Sequence, residues 1–378
     1  MVLVEKDAPA LAALQAGKYP FLEPGAAELL QSCLEKGCFQ LSSDMSKIKG
    51  SEVILLTVTT PVDERLIPNM SLVEAAISDL QPHLSGGETI LLRATVFPGT
   101  CEMIEQKLAN LPALYLGANG SQNGHNGQHG QHGQHGQNGQ NGQQGGSKFQ
   151  RELSVGVSFC PERLASGQVV EELKQVPQII SGSTPRALSH ALALFEPLSV
   201  DLVELSLLEA EVATLFLNAW RYVSFGTANQ FYHIAVSKGL DFDKIRSAII
   251  HRYQRAADFP RSGFTAGPRL YQDMMQLSAY CRHTFSLGNA AMLVNETMPD
   301  CLVEQARQKL AECGRNFKGL KCGILGMAFK PGSDDCSHSL AFKLRELLLR
   351  EGAEVSCSDA CVGEADFVSQ EKLLESHG

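Results

Sequence analysis

A chain of the α/β class, with a parallel sheet covered on both faces, is what this sequence predicts, extended by one long central helix and a second, incomplete α/β unit. Three observations carry that expectation. Short apolar, β-branched runs alternate with helix-periodic segments through the first half. One uninterrupted helical pattern spans residues 208–238. A strand–helix–strand pattern then resumes after Gly319.

In chain order, residues 2–5, 53–58, 89–96, 154–159 and 178–181 read as buried strands. Residues 25–33, 72–80 and 101–108 carry helical periodicity between them. Strands and helices taking turns are joined by crossovers, which sets the strands parallel. The long pattern has an apolar stripe of Val212, Leu215, Phe216, Ala219, Val223 and Phe231. Such a helix is too long and apolar for a simple surface element and is expected at a domain junction and a subunit interface. Residues 321–327, 339–350 and 354–359 begin the second unit, which Gly378 ends before a second sheet is complete.

Composition narrows the function classes. A chain of 378 residues is long enough for two or three packed domains. Its 44% hydrophobic and 19% charged residues fit a globular protein. A net charge of −9 argues against a nucleic-acid surface, which needs a concentrated basic face. No apolar run reaches the roughly 18 residues a membrane span requires. The opening residues lack the basic and apolar regions of a secretory signal, so a cytoplasmic protein is expected. The 11 cysteines show no CxxC spacing and are odd in number. They read mostly as small buried hydrophobes in a reducing compartment, with no metal site expected.

Residues 117–147 belong to no fold pattern: they are almost wholly Gly, Asn, Gln and His. No apolar side chain there can offset the entropy of ordering, so the segment reads as a flexible insertion. His125, His129, His132 and His135 admit a weak metal-binding reading, but repeat expansion of a linker accounts for them more simply.

Several short motifs fall in one order. Leu14-Gln15-Ala16-Gly17-Lys18 with Phe21-Leu22-Glu23-Pro24-Gly25 comes first, followed by Thr57-Val58-Thr59-Thr60-Pro61-Val62-Asp63-Glu64 and Arg93-Ala94-Thr95-Val96-Phe97-Pro98-Gly99-Thr100. Then come Pro161-Glu162-Arg163, Ala210-Glu211 with Asn218, Gly267-Pro268 with Leu270 and Asp273, and Gly326-Met327-Ala328-Phe329-Lys330-Pro331 with Asp334-Asp335. The series resembles the NAD-dependent nucleotide-sugar dehydrogenases, with wording nearest the UDP-N-acetylhexosamine branch. The resemblance covers the chain apart from the insertion. It implies a truncated Rossmann-type domain over residues 1–206, a central helical dimerisation domain over 207–300 and a partial sugar-nucleotide-binding domain over 301–378.

The resemblance also implies an activity: oxidation of a sugar primary alcohol to a carboxylate by two hydride transfers to NAD, in polysaccharide biosynthesis. The partners it implies are a UDP-N-acetylhexosamine or UDP-hexose, and a second copy of the chain or an intact paralogue. By the same resemblance Glu5, Thr60, Pro61 and Thr95 face the cofactor. Glu162 activates the hydrolytic water, Asn218 and Asp273 orient the site, and Lys330 contacts the substrate. Each of the last four also has an ordinary role open to it: helix capping for Asp273, an interior hydrogen bond for Asn218, a solvated charge for Glu162 and Lys330.

Several of the family's groups are replaced. Arg269 stands where the resemblance expects the nucleophilic cysteine, and a guanidinium can neither attack an aldehyde nor lose its charge at physiological pH. Thr214 stands where an alkoxide-stabilising lysine is expected, Gln272 replaces a second lysine and Ser337 an arginine. Cys160 and Cys281 are read as packing residues rather than substitutes. A dinucleotide cradle needs a strand, a G-x-G-x-x-G turn and a helix N-terminus ahead of Glu5, and this sequence contains no such turn. The missing strand would lie between those at 2–5 and 53–58, so NAD binding is expected to be feeble unless an upstream segment supplies it. Together these losses predict impaired catalysis or a non-catalytic pseudoenzyme.

Overall fold

The computed structural model describes residues 1–63, 67–109, 154–198, 201–265, 268–282, 284–363 and 366–377. The Gly/Asn/Gln/His insertion, Glu64 and Gly267 lie outside the described residues. The α/β architecture is as expected, and among the described residues all the strand pairs are parallel. Strands β1 (Val2–Val4) and β2 (Gln40–Ser42) form one pair, with helices α1 (Ala8–Gln15) and α2 (Ala26–Glu35) between them. Strands β3 (Val53–Leu56), β4 (Thr89–Leu92) and β5 (Gly156–Phe159) form the central sheet, and β6 (Gln178–Ile180) pairs with β7 (Leu202–Glu204).

β4 and β5 are buried at every position because helices cover both faces. Helix α3 (Ser71–Leu80) contributes Val73, Ile77 and Leu80, spaced to fall on one face, and α4 (Thr100–Ala109) contributes Cys101, Ile104 and Leu108. On the other side, α5 (Pro185–Phe195) starts where the Thr184 hydroxyl accepts from the Ala187 N–H at 3.1 Å, with proline in its first turn. Gly156 allows α5 to close on β5: a Cβ there would meet the Ala187 Cβ at 2.9 Å. Serines continue the sheet from β5 to β6, the Ser181 hydroxyl accepting from the Phe159 N–H at 3.2 Å and donating to the Phe159 carbonyl at 2.7 Å.

Among the described residues, β1 pairs only with β2 and the central sheet ends at β3, so no strand joins the two. Leu55 of β3 is 47% exposed beside that unpaired edge. The sequence pattern overstated all five predicted strands, β1 and β6 by one residue at their ends and β5 by two at its start. β3 stops at Leu56 and β4 at Leu92, because the residues after them turn into loops at the carboxyl end of the sheet.

The long helix is α6 (Leu207–Ser237), opened by a capping box between Ser206 and Glu209. Its buried Glu211 accepts from the Gly99 and Cys101 N–H groups at 2.6 and 2.9 Å, capping α4 and fastening α6 to the first domain. Leu215, Ala219 and Tyr222 pack on helices α8 (Pro268–Tyr280) and α9 (Ser286–Glu296), beyond α7 (Phe242–Ile250). The predicted stripe is not one buried face: Phe216 is 59% and Phe231 47% exposed, beside Trp220 at 70%.

After α10 (Met298–Glu312), β8 (Lys321–Leu325) and β9 (Glu354–Ser358) pair around α11 (Leu340–Arg350), and α12 (Gln370–His377) covers them. No helix among the described residues is long and apolar enough to cross a membrane. The cysteines depart from expectation. Only Cys101, Cys160 and Cys357 are buried, while Cys38, Cys313 and Cys361 are exposed, because most stand at helix surfaces and chain turns rather than in the sheet core.

Candidate functional site

Parallel strands deliver their following loops to one edge of the sheet, where ligands of open α/β sheets bind. Here the loops after β3, β4 and β5 meet α6, α8 and the loop after β8 around two adjoining clefts. The larger, about 600 Å³, is walled by Thr95, Glu162, Thr214, Asn218, Arg269 and Lys330 among others. The second, about 470 Å³, is walled by Thr57, Thr59, Pro61, Thr95, Glu162, Arg269, Gln272 and Asp273. Thr95, Glu162 and Arg269 border both.

The loop bearing Glu162 is held from several directions. Arg93 donates through Nη1 to the Cys160 carbonyl at 2.9 Å, the Pro161 carbonyl at 3.2 Å and Gln178 Oε1 at 2.7 Å, and its guanidinium lies 4.9 Å from the Phe195 ring centre. Burial lowers the Arg93 pKa. Further along, Glu23 accepts from the Gly167 and Val169 N–H groups at 2.6 and 2.8 Å, which gives the Phe21–Gly25 motif its structural purpose. The loop after β8 is shaped by Asp359, which accepts from the Met327 and Ala328 N–H groups at 2.7 and 2.9 Å. From this loop Lys330 donates to the Ser166 carbonyl. Buried Asn229 fixes the opposite wall, accepting from the Gly263 N–H at 2.8 Å.

Arg269 Nη1 is ion-paired to Glu162 Oε2 at 2.6 Å, so Glu162 is no free solvated charge. Asp273 caps no helix: it lies within α8, 2% exposed, and accepts from Asn218 Nδ2 at 2.5 Å. Burial pushes its pKa up to about 7, against the Asn218 hydrogen bond and the Arg269 charge, which pull it down. The Thr214 hydroxyl is turned back on its own helix, donating to the Ala210 carbonyl at 3.2 Å. Cys160 is fully buried, and desolvation raises its thiol pKa. Cys281 packs beside the α6–α8 cluster.

Two expected cofactor residues are placed otherwise. Thr60 is fully buried, and its hydroxyl accepts from the Phe97 N–H at 2.5 Å, leaving Thr57 and Thr59 to face the cleft. Glu5 borders neither cleft; it accepts from the Asp7 N–H at 2.8 Å, at the entry to α1. Sequence reasoning gave no role to Arg93 and Arg163, though both stand in its motifs, and passed over Arg221, Thr265 and Gln276. For Arg93 a signal existed, since a lone basic residue closing a buried strand must find acceptors.

A dinucleotide fits only part of this arrangement. The cleft at the ends of β3 and β4 lies at the sheet edge where such folds take part of that ligand. Its diphosphate, however, requires a glycine-rich turn onto a helix N-terminus. Among the described residues the edges of β1 and β3 that would flank such a unit are unpaired. The described residues therefore hold no glycine-rich turn for the diphosphate of NAD.

Comparison with known proteins agrees with the motif order. Residues 1–115 match the NAD binding domain of the UDP-glucose/GDP-mannose dehydrogenase family, and residues 323–376 match that family's UDP binding domain. The chain is 26% identical over 352 residues to a UDP-N-acetyl-D-mannosamine dehydrogenase of Yersinia pestis, spanning 91% of this chain and 76% of the relative. It is 22% identical over 380 residues to a UDP-glucose 6-dehydrogenase of Bacillus subtilis, spanning 99% and 74%. In fold it is similar to the UDP-D-ManNAc dehydrogenase of Pyrococcus horikoshii, with a TM-score of 0.83 at 23% identity over 99% of this chain and 81% of that one. The two matches stand in that family's order, so this chain resembles the UDP-glucose/GDP-mannose dehydrogenase family, whose NAD binding domain makes NAD the expected cofactor.

Proposed function

We propose that this protein binds a nucleotide sugar of the UDP-N-acetylhexosamine or UDP-hexose class in the larger cleft and oxidises it very poorly or not at all. One observation carries this reading: the Arg269–Glu162 ion pair at 2.6 Å. It puts a cation where the family's nucleophile belongs. It also ties up the carboxylate that would activate water, because both of its oxygens are engaged, Oε2 by Arg269 and Oε1 by the Leu164 N–H. Thr214, bonded to the Ala210 carbonyl, offers no cation to a developing alkoxide. Lys330, Asn218 and Asp273 remain as binding and orienting groups, and Pro61 and Thr95 line the side a nicotinamide would occupy. The test is an assay of the purified chain with NAD and UDP-sugars beside an intact relative. No NADH is expected from this chain, and sustained NADH formation sinks the reading.

A second role is favoured by α6. Phe216, Trp220, Phe231 and Ile234 are all exposed along it, a row of large apolar groups that suits a protein partner. On this reading the chain pairs with a second copy or with an intact paralogue, as a pseudoenzyme subunit. Analytical ultracentrifugation of the pure chain should show a dimer or larger species, alone or on mixing with the paralogue. A monomer under both conditions rules the pairing out.

A further inference from the structure

Arg269 does more than vacate a nucleophile position. Its side chain is 58% exposed and borders both clefts, and Nη1 already holds one carboxylate, that of Glu162. A guanidinium carries five N–H donors, so this contact leaves others for a ligand. Arg269 also stands in the first turn of α8, a helix of 13 residues whose leading N–H groups favour an anion.

An independent feature points the same way. Thr265 is 5% exposed and lines the larger cleft, and its hydroxyl has no hydrogen-bond partner among the described residues. Leaving such a group unpaired is costly unless a ligand completes it. On the same wall Arg221 is exposed and has no ion-pair partner among the described residues. Arg163, Arg221, Arg269 and Lys330 outnumber Glu162 and Asp335 around this cleft, in a chain whose net charge is −9. The local field thus opposes that of the whole molecule and favours a multiply charged anion.

We propose that the cleft recognises the oxidised sugar: a nucleotide-linked uronate, whose carboxylate is held by Arg269 and the Thr265 hydroxyl. This rests on the nucleotide-sugar reading above and deepens it. A carboxylate on a guanidinium makes short, charge-assisted bonds, whereas the corresponding primary alcohol offers one neutral contact. The substitution that removes the chemistry thereby turns the site toward the compound that a family dehydrogenase releases. Glu162 competes for the same guanidinium, so it sets how tightly the uronate is held.

Calorimetric titration of the full chain tests this, with UDP alone and with two matched pairs: UDP-glucose against UDP-glucuronate, and UDP-N-acetyl-D-mannosamine against its uronate. UDP should bind, and in at least one pair the uronate should bind roughly 10- to 100-fold more tightly than the alcohol. R269Q should erase that preference while leaving the melting temperature in place, and E162Q should widen it. UDP binding with no preference in either pair overturns the proposal, as does a preference that survives R269Q. So does free glucuronate or inorganic phosphate binding as tightly as the nucleotide uronate, since that shows a general anion site. Failure to bind UDP at all sinks the nucleotide-sugar reading itself, and this inference with it.

Discussion

A protein of these 378 residues should reduce NAD on UDP-sugars roughly 10⁴- to 10⁶-fold more slowly than an intact relative, and the double variant R269C/T214K should recover little of that. The first figure follows from the proposed loss of a covalent nucleophile, because the groups of a catalytic unit fail together rather than by separate increments. The second follows from position. Lysine at 214 would face the larger cleft, where Thr214 already lies, and cysteine at 269 would stand at the border of both clefts. Chemistry restored there still needs a hydride acceptor held within reach. The described residues offer the strand ends for one side of a dinucleotide but no turn for its diphosphate. Turnover by the double variant within about tenfold of the relative would overturn the account of the cofactor side. Adding an intact glycine-rich strand–turn–helix unit ahead of residue 1 of the double variant should raise its rate where the double variant alone stays flat.

How much of this was legible in the sequence depended on element length and on what each side chain touches. The buried strands β4, β5 and β6 stand out because both of their faces are covered, and β3 stands out as an apolar run although Leu55 is exposed. β2 and β7 do not, since each is three residues long and has at least one exposed position. Helix α5 carried a readable start, Thr184 followed by Pro185, that periodicity alone passed over. On α6 the length was legible, but not which apolar residues turn inward, because Phe216 and Leu215 are adjacent in sequence and only one meets α8. The motif order placed Glu162, Asn218, Asp273, Thr214, Arg269 and Lys330 around adjoining clefts. It could not show that Thr60 spends its hydroxyl on the Phe97 N–H, or that Glu162 and Arg269 are paired across 107 positions. Contacts of that kind come from loops meeting at a sheet edge and leave no local period to read.

Stability should fall by about 3 kcal/mol between about pH 5 and 8 through Asp273 alone, and D273N should abolish that part of the fall. The folded pKa of Asp273 is raised to about 7, while an unfolded aspartate titrates near 3.9. Between those two values the folded state keeps a proton that the unfolded state has released, so stability drops as pH rises. Below the lower value both states are protonated and the contribution is whole; above about 7 both are ionised and it is gone. The cause is a carboxyl sealed between α6 and α8, with one hydrogen bond from Asn218 and the Arg269 charge one turn away. Burial also raises the pKa of Glu211 and Glu296, which tilts the whole-protein curve the same way. The difference between wild type and D273N, measured by denaturant unfolding across this range, isolates Asp273. Parallel curves for the two proteins would show that Asp273 is ionised at acidic pH and that its surroundings are more polar than its contacts imply. Removing the nearby cation in R269C should push the midpoint of the difference curve higher, so the substitution that repairs the nucleophile also makes the buried carboxyl harder to ionise.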